Sequence, residues 1–105
     1  MSSIGIVSSR IVKYVARKAV GLPVDDMDLR RLTGSVLYPV MREAVNRVAG
    51  EIVTVRNGLL RCNICGKGPF TRRGLYLHYI RVHPHDIIGL LEEEYNRITR
   101  LLSTR

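Results

Sequence analysis

Tryptophan is absent from this 105-residue chain, and phenylalanine occurs once. Aromatic burial, which supplies much of the contact area in many small cores, therefore contributes little. Cysteine is scarce as well. Two residues are too few for the disulfide framework of a small secreted domain. No long hydrophobic run occurs either. The apolar stretch from Ser2 to Ala16 is interrupted by Arg10 and Lys13 and followed by Arg17 and Lys18, so it is too short to span a bilayer. No secretory leader pattern is visible. The simplest expectation is an intracellular protein, cytoplasmic or nuclear, with no membrane span.

Acid is in short supply: nine Asp and Glu stand against seventeen Lys and Arg, for a net charge of +8. The imbalance is local. Residues 1–24 carry +4 and residues 51–85 carry +5, whereas residues 25–50 are neutral and residues 86–105 carry −1. Positive charge concentrated in two segments suits a polyanionic partner, either nucleic acid or an anionic membrane surface. A plain basic soluble protein has the same balance. Fourteen of the seventeen basic residues are Arg, whose planar fork grips phosphate with two bonds. A genome-wide bias would also produce that preference.

Apolar residues make up 46% of the chain, enough for one small domain, or two very small ones, with a thin core. Ile4, Val7, Ile11, Val15 and Ala19 recur at helical spacing, which predicts an amphipathic helix over 4–20, broken by Gly21 and Pro23. Asp25 is placed to cap a second helix over 26–33, with Leu29 and Leu32 inward. After a turn at 33–35, a third helix is expected from Val36 or Pro39 to Ala49. Its buried face would be Leu37, Met41, Ala44, Val45 and Val48, and Gly50 would be its stop. The period then changes to that of strands. Asn57-Gly58 between two short β-branched or apolar runs predicts a hairpin with a type I′ turn. Further on, Pro84 stops one helix and Asp86 would cap another over 87–103. That helix would bury Ile87, Leu91, Tyr95, Ile98 and Leu102, widened by Ile88, Leu90 and Leu101, with Glu93 and Arg97 as an i,i+4 pair.

Both cysteines and two of the three histidines fall in one stretch, "CNICGKGPFTRRGLYLHYIRVH". Cys62, Cys65, His78 and His83 form the pattern C-x2-C-x12-H-x4-H. Two residues between thiolates, with Gly66 completing a tight turn, let both sulfurs converge on one ion. Four residues between imidazoles put them one helical turn apart on one face. Four such donors complete a tetrahedron around zinc and leave no position open for a substrate, so the metal would be structural. A buried thiol pair, a redox C-x-x-C motif and unrelated histidines are the alternatives, although a redox pair has no need of the histidines. His85 competes with His83 for the fourth position, at a gap longer than the template allows.

On these residues the chain resembles the C2H2 zinc-finger family over roughly residues 59–83. The resemblance implies a ββα unit around one zinc ion, with Phe70 and Leu75 as its apolar core. Phe70 stands one residue later than in the family pattern, which predicts a bulge in the second strand at Gly68-Pro69. The linker that joins tandem fingers is missing after His83, so the finger stands alone. In members that read DNA, three helix positions contact bases, and these fall on Thr71, Gly74 and Leu77 here. None of the three can read a base with paired hydrogen bonds. Contacts to phosphate are left to Arg72, Arg73, Arg81, Lys67 and Arg61, with Arg56 extending that surface, and to Arg10, Lys13, Arg17 and Lys18 of the first helix. The first helix equally suits anionic lipid or a solvated outer face.

The expected fold is α+β and mostly helical. A basic helical region (1–50) precedes a β-hairpin leading into the single finger (51–85), and an amphipathic helix (86–105) follows. Tyr76, Leu77 and Ile80 form an apolar stripe on the outside of the finger helix. Either the flanking helices cover it or, together with the C-terminal helix, it docks a protein partner or a second subunit. Residues 26–49 and the hairpin are also loosely similar to a winged helix-turn-helix, with Arg42, Asn46 and Arg47 on its reading helix, although three helices packed without DNA contact have the same pattern. The expected function is nucleic-acid binding, DNA ahead of RNA, through phosphates, in transcription or a chromosome- or ribosome-associated role. The alternative is a zinc-stabilised interaction or dimerisation module. No nucleophile–base pairing, phosphate loop or carboxylate dyad marks an enzyme.

Overall fold

A computed structural model describes residues 2–103, with side chains from Ser9 onward. The first helix, α1 (Ser2–Val20), is walled in by the others and packs against α2 (Asp26–Thr33), α3 (Tyr38–Glu51), α4 (Arg72–Val82) and α5 (Pro84–Ser103). Ile11, Val12, Tyr14, Val15, Ala16 and Val20 are buried, pointing to several sides of the helix. Among its described residues Arg10, Lys13 and Arg17, at i, i+3 and i+7, make an exposed line. The expected inward residues Ile4 and Val7 lie outside the residues whose side chains are described. At the C-terminal end, Gly21 adopts φ +82° and Leu22 N–H returns 2.9 Å to the Arg17 carbonyl. A glycine tolerates that left-handed turn at no steric cost.

Asp25 caps α2 as expected, its carboxylate accepting the Met27 N–H at 3.0 Å. Tyr14 of α1 donates to Asp26 at 2.9 Å, and Leu29 is fully buried against the core. Two expectations for α3 are corrected. Leu37 is 43% exposed, because it is the residue at the helix mouth and not within it. Gly50 does not end α3. The helix continues to Glu51, and buried Ile52 closes it with an N–H bond to Val48. Burying Ile52 and running straight into the next strand outweighs the modest cost of an exposed helical glycine.

The hairpin joins β1 (Val53–Arg56) to β2 (Leu59–Cys62) as an antiparallel pair, with Arg56 opposite Leu59 and Val53 opposite Cys62. Asn57 and Gly58 both have positive φ, 54° and 78°, as a type I′ turn requires. The second strand expected of a finger is reduced to a single bridge, Leu60 to Phe70, with Phe70 N–H bonded to the Leu60 carbonyl at 2.7 Å. The expected bulge is thus a break. Pro69 has no N–H to donate to a ladder, and a Cβ on Gly68 would lie 3.1 Å from the Arg61 backbone.

Only His83 separates α4 from α5. Pro84 begins α5, where its missing N–H costs nothing. Asp86 therefore sits in the first turn and is not the cap. Ile87, Leu91 and Ile98 are buried, Tyr95 is half-buried, and Leu101 and Leu102 are exposed, contrary to the expected face. A helix of 20 residues runs about 30 Å, nearly a full dimension of a molecule measuring 42 × 31 × 22 Å, so its last turn overruns the core. Arg97 pairs with Glu94 at 2.9 Å and not with Glu93, since Glu94 also faces Arg47 of α3 at 3.8 Å. One hydrophobic cluster includes residues from all three sequence regions, such as Val45, Tyr79 and Ile87.

Candidate metal centre

The turn between the cysteines is built by backbone bonds. Gly66 N–H donates to the Cys62 carbonyl at 2.8 Å, and Cys62 N–H to the Lys67 carbonyl at 2.9 Å. Gly66, at φ +81°, makes the reversal. Asn63, between the cysteines, anchors the turn to the end of α3. Its N–H donates to the Ile52 carbonyl at 2.9 Å and its amide to the Glu51 carbonyl at 3.0 Å, while Thr54 donates to its side-chain oxygen at 2.6 Å. On the other side, Thr71 caps α4 by accepting the Gly74 N–H at 3.0 Å. Leu75 and Tyr79 bury the inner face of α4. The Tyr79 hydroxyl donates to the Ile52 carbonyl. Burial pushes the pKa of that hydroxyl well up, so it remains a donor.

These supports bring Cys62, Cys65, His78 and His83 together, with their donor atoms all within 4.8 Å of one another. Zinc bonded at about 2.3 Å to sulfur and about 2.0 Å to nitrogen would hold tetrahedral donors roughly 3.3–3.8 Å apart, a small contraction from this spacing. Cys65 Sγ already lies 3.3 Å from His78 Nε2. Phe70 stacks on the His78 ring at a centroid distance of 4.9 Å, and the His83 ring meets His78 edge-on at 4.9 Å. His85 is exposed and stands outside the cluster, which resolves the competition in favour of His83.

Donor chemistry fits a metal. His83 is buried, its Nδ1 lies 2.7 Å from Asp86 Oδ2, and its Nε2 has no hydrogen-bond partner. A buried ring nitrogen without a partner is costly unless something outside the protein satisfies it. The Lys67 N–H, then His83 and His78, pull the Cys65 thiol down to about 6, so it is largely thiolate at neutral pH. Burial pushes the Cys62 thiol the other way, although the N–H groups of Cys65 and Ile64 oppose it. For His83, burial favours the neutral ring, but the Asp86 carboxylate and the neighbouring Cys65 sulfur outweigh it and raise the pKa. The cluster can hold one metal ion.

Phe70 and Leu75 both pack beside the site, Leu75 fully buried and Phe70 partly. Of the nine expected cationic residues, Lys18 is half-buried and the other eight are exposed. None of the nine forms an ion pair among the described residues. By contrast Arg31, Arg47 and Arg97 are paired with Asp28, Glu43 or Glu94. The pairing of Arg47 takes it from the suggested reading helix. Arg17 and Arg72 meet at one seam although 55 positions separate them. The Arg17 guanidinium stands 5.5 Å from the centre of the Tyr76 ring, and Arg72 reaches Gly21 at the end of α1, with its guanidinium carbon 3.9 Å from where a Cβ would be. That helix end carries partial negative charge, which favours a cation. Arg73 and Arg81 lie two turns apart on the outer line of α4, with Leu77 between them. Arg61 is committed to the cysteine turn, donating to the Gly66 carbonyl at 3.1 Å.

The expected docking stripe is largely covered. All three are partly buried: Tyr76 and Ile80 pack against the core, and Leu77 lies on the outer line of α4. Two site residues escaped the sequence reading: Asp86 and Asn63. Asp86 had a local signal, its i+3 spacing from His83, but the cap reading claimed it first. No protein-family model matches the chain, nor does any curated protein or solved structure. Among the described residues no helix is long and apolar enough to cross a membrane.

Proposed function

We propose that the chain is a single-finger protein of the C2H2 zinc-finger type, in which one structural zinc ion fastens a helical domain that binds nucleic acid through phosphate contacts. The ion is held by Cys62, Cys65, His78 and His83, two soft thiolates and two imidazoles, a donor set suited to zinc. With four protein donors the ion has no open position, so it holds structure and catalyses nothing. The observation that carries the binding reading is the α1–α4 seam, where the two most basic stretches of the sequence meet without carboxylate partners. Duplex DNA is the favoured ligand, ahead of RNA, with a role in transcription or on chromosomes. Base readout has no support. The Thr71 hydroxyl is used as a cap, Gly74 has no side chain, and Leu77 has no polar group.

Duplex DNA of mixed sequence, titrated over a salt series with zinc present, tests this reading. Affinity should fall linearly on a log–log plot. The double replacement Arg17→Ala, Arg72→Ala should lower the slope by about 2, one for each lost phosphate contact. A salt-independent affinity, or an unchanged slope in the double variant, overturns it. A second reading, docking of a protein, is favoured by one observation. An apolar groove of Ile11, Leu37, Met41, Ile88 and Tyr95 opens between α1, α3 and α5. A monomeric mass by light scattering together with no dye binding to this groove counts against it.

A further inference from the structure

We propose that Asp86 is a positioning residue of the metal centre and couples metal loading to the seating of α5. The inference rests on reading the four Cys and His residues as a metal site. Asp86 belongs to the first turn of α5, whereas His83 is the residue that closes α4. Their side chains meet at 2.7 Å, Oδ2 to Nδ1. An imidazole that donates its Nδ1–H to a carboxylate carries its free lone pair on Nε2. In His83 that Nε2 is the buried atom with no partner. The carboxylate thus selects the tautomer, holds the ring plane and makes the coordinating nitrogen a better donor. Loss of such a partner typically weakens metal binding about 10–100-fold.

The backbone reinforces the joint. His83 N–H bonds to the Tyr79 carbonyl at 3.0 Å, and the His83 carbonyl accepts the Ile87 N–H at 3.0 Å, so His83 is hydrogen-bonded into both helices. Asp86 is the one acid in the first turn of α5, and its side chain is 55% exposed. Removing it leaves no buried hole. A rival role is available to it there, since any acid near a helix N-terminus is favourable. That rival acts with or without metal. Positioning acts only with it. Linkage sharpens the distinction: if Asp86 tightens the metal by some factor, metal must tighten the seating of α5 around Asp86 by the same factor.

The full chain is compared as wild type, Asp86→Ala, Asp86→Asn and, as a control on the same helix, Glu92→Ala. Zinc affinity is read by competition with a chromophoric chelator, the coordination set by the cobalt(II) absorption spectrum, and α5 by amide exchange over residues 86–91 with and without zinc. Asp86→Ala should bind zinc about 10–100-fold more weakly and lose the same factor of metal-induced protection in α5. Asp86→Asn, which keeps an acceptor, should recover most of the loss, and Glu92→Ala should match wild type. Wild-type affinity in Asp86→Ala overturns the proposal, and so does faster α5 exchange of equal size in the metal-free protein, the mark of the helix-end role. A wild-type chain that takes up no stoichiometric zinc defeats the metal reading itself, a result distinct from both.

Discussion

The finger and the helical layer beneath it are stabilised in different ways. The layer is closed by apolar contact: Val15, Leu29, Val45, Val48, Ile87 and Leu91 are buried together and need nothing from outside the chain. In the finger, Cys62 and His83 are buried beside Leu75 and Tyr79, and the buried His83 Nε2 has no partner within the protein. One region closes on area, whereas the other holds a donor cluster that an ion would close. Yet they are spliced. Tyr79 and Asn63 both bond to the end of α3, and α1 packs against the Tyr76 side of α4. An ion bound at the cluster would therefore not fold an independent bead; it would lock a lid onto a layer with a core of its own.

Removal of the ion gives the largest expected effect. Chelation, or Cys62→Ser, should cost the finger on the order of 10 kcal/mol. Amide protection should vanish over 59–83 while α1 and α3 keep theirs. Equal loss in both regions, read by hydrogen exchange, would dissolve the distinction. The converse experiment is Leu29→Ala in α2. It should lower global stability by about 2–5 kcal/mol in denaturant melts, while the folded variant binds zinc as before. Next comes the splice itself. Tyr79→Phe takes one of two donors from the buried Ile52 carbonyl, which keeps the Asn63 N–H, and should cost about 0.5–1.5 kcal/mol. If its effect on zinc affinity exceeds that on stability, the hydroxyl belongs to the finger and not to the joint. Smallest is Glu94→Gln on α5. The Arg97 hydrogen bond and charge, with Arg47 nearby, hold the Glu94 pKa below its ordinary value. A lowered carboxylate pKa stabilises the fold above the unfolded value, and that stability is lost as pH falls through the folded one. The melting difference between wild type and Glu94→Gln should therefore be present at neutral pH and shrink below about pH 4.

Sequence legibility divides along the same line. Features set by neighbours in the chain were readable: the Asp25 cap, the Asn57-Gly58 turn, the ligand spacing and the burial of Leu75. Features set by what lies across space were not. Asp86 carries a plausible cap signature, and only the approach of His83 turns it toward the ring. Glu93 and Glu94 offer Arg97 equivalent partners on an isolated helix, but Arg47 arrives from α3 on the side of Glu94. Gly50 is a good stop until Ile52 finds a buried place two residues on. Leu102 has the right period but lies past the end of the core it would join. That α1 is the central helix was hidden because Tyr14, with its hydroxyl bonded to Asp26, and the small Ala16 widen its buried surface beyond the apolar stripe.

The two sulfurs of the cluster differ in access: Cys65 is exposed, and Cys62 is sealed inside. An ion held there would face solvent on one flank only, so arrival and departure share a single door. Exchange should begin at the exposed Cys65 and end at the buried Cys62 and His83. Chelators and oxidants would then act first on a thiolate that leads the release, and the lifetime of the loaded protein would be governed by that one sulfur more than by the other three donors.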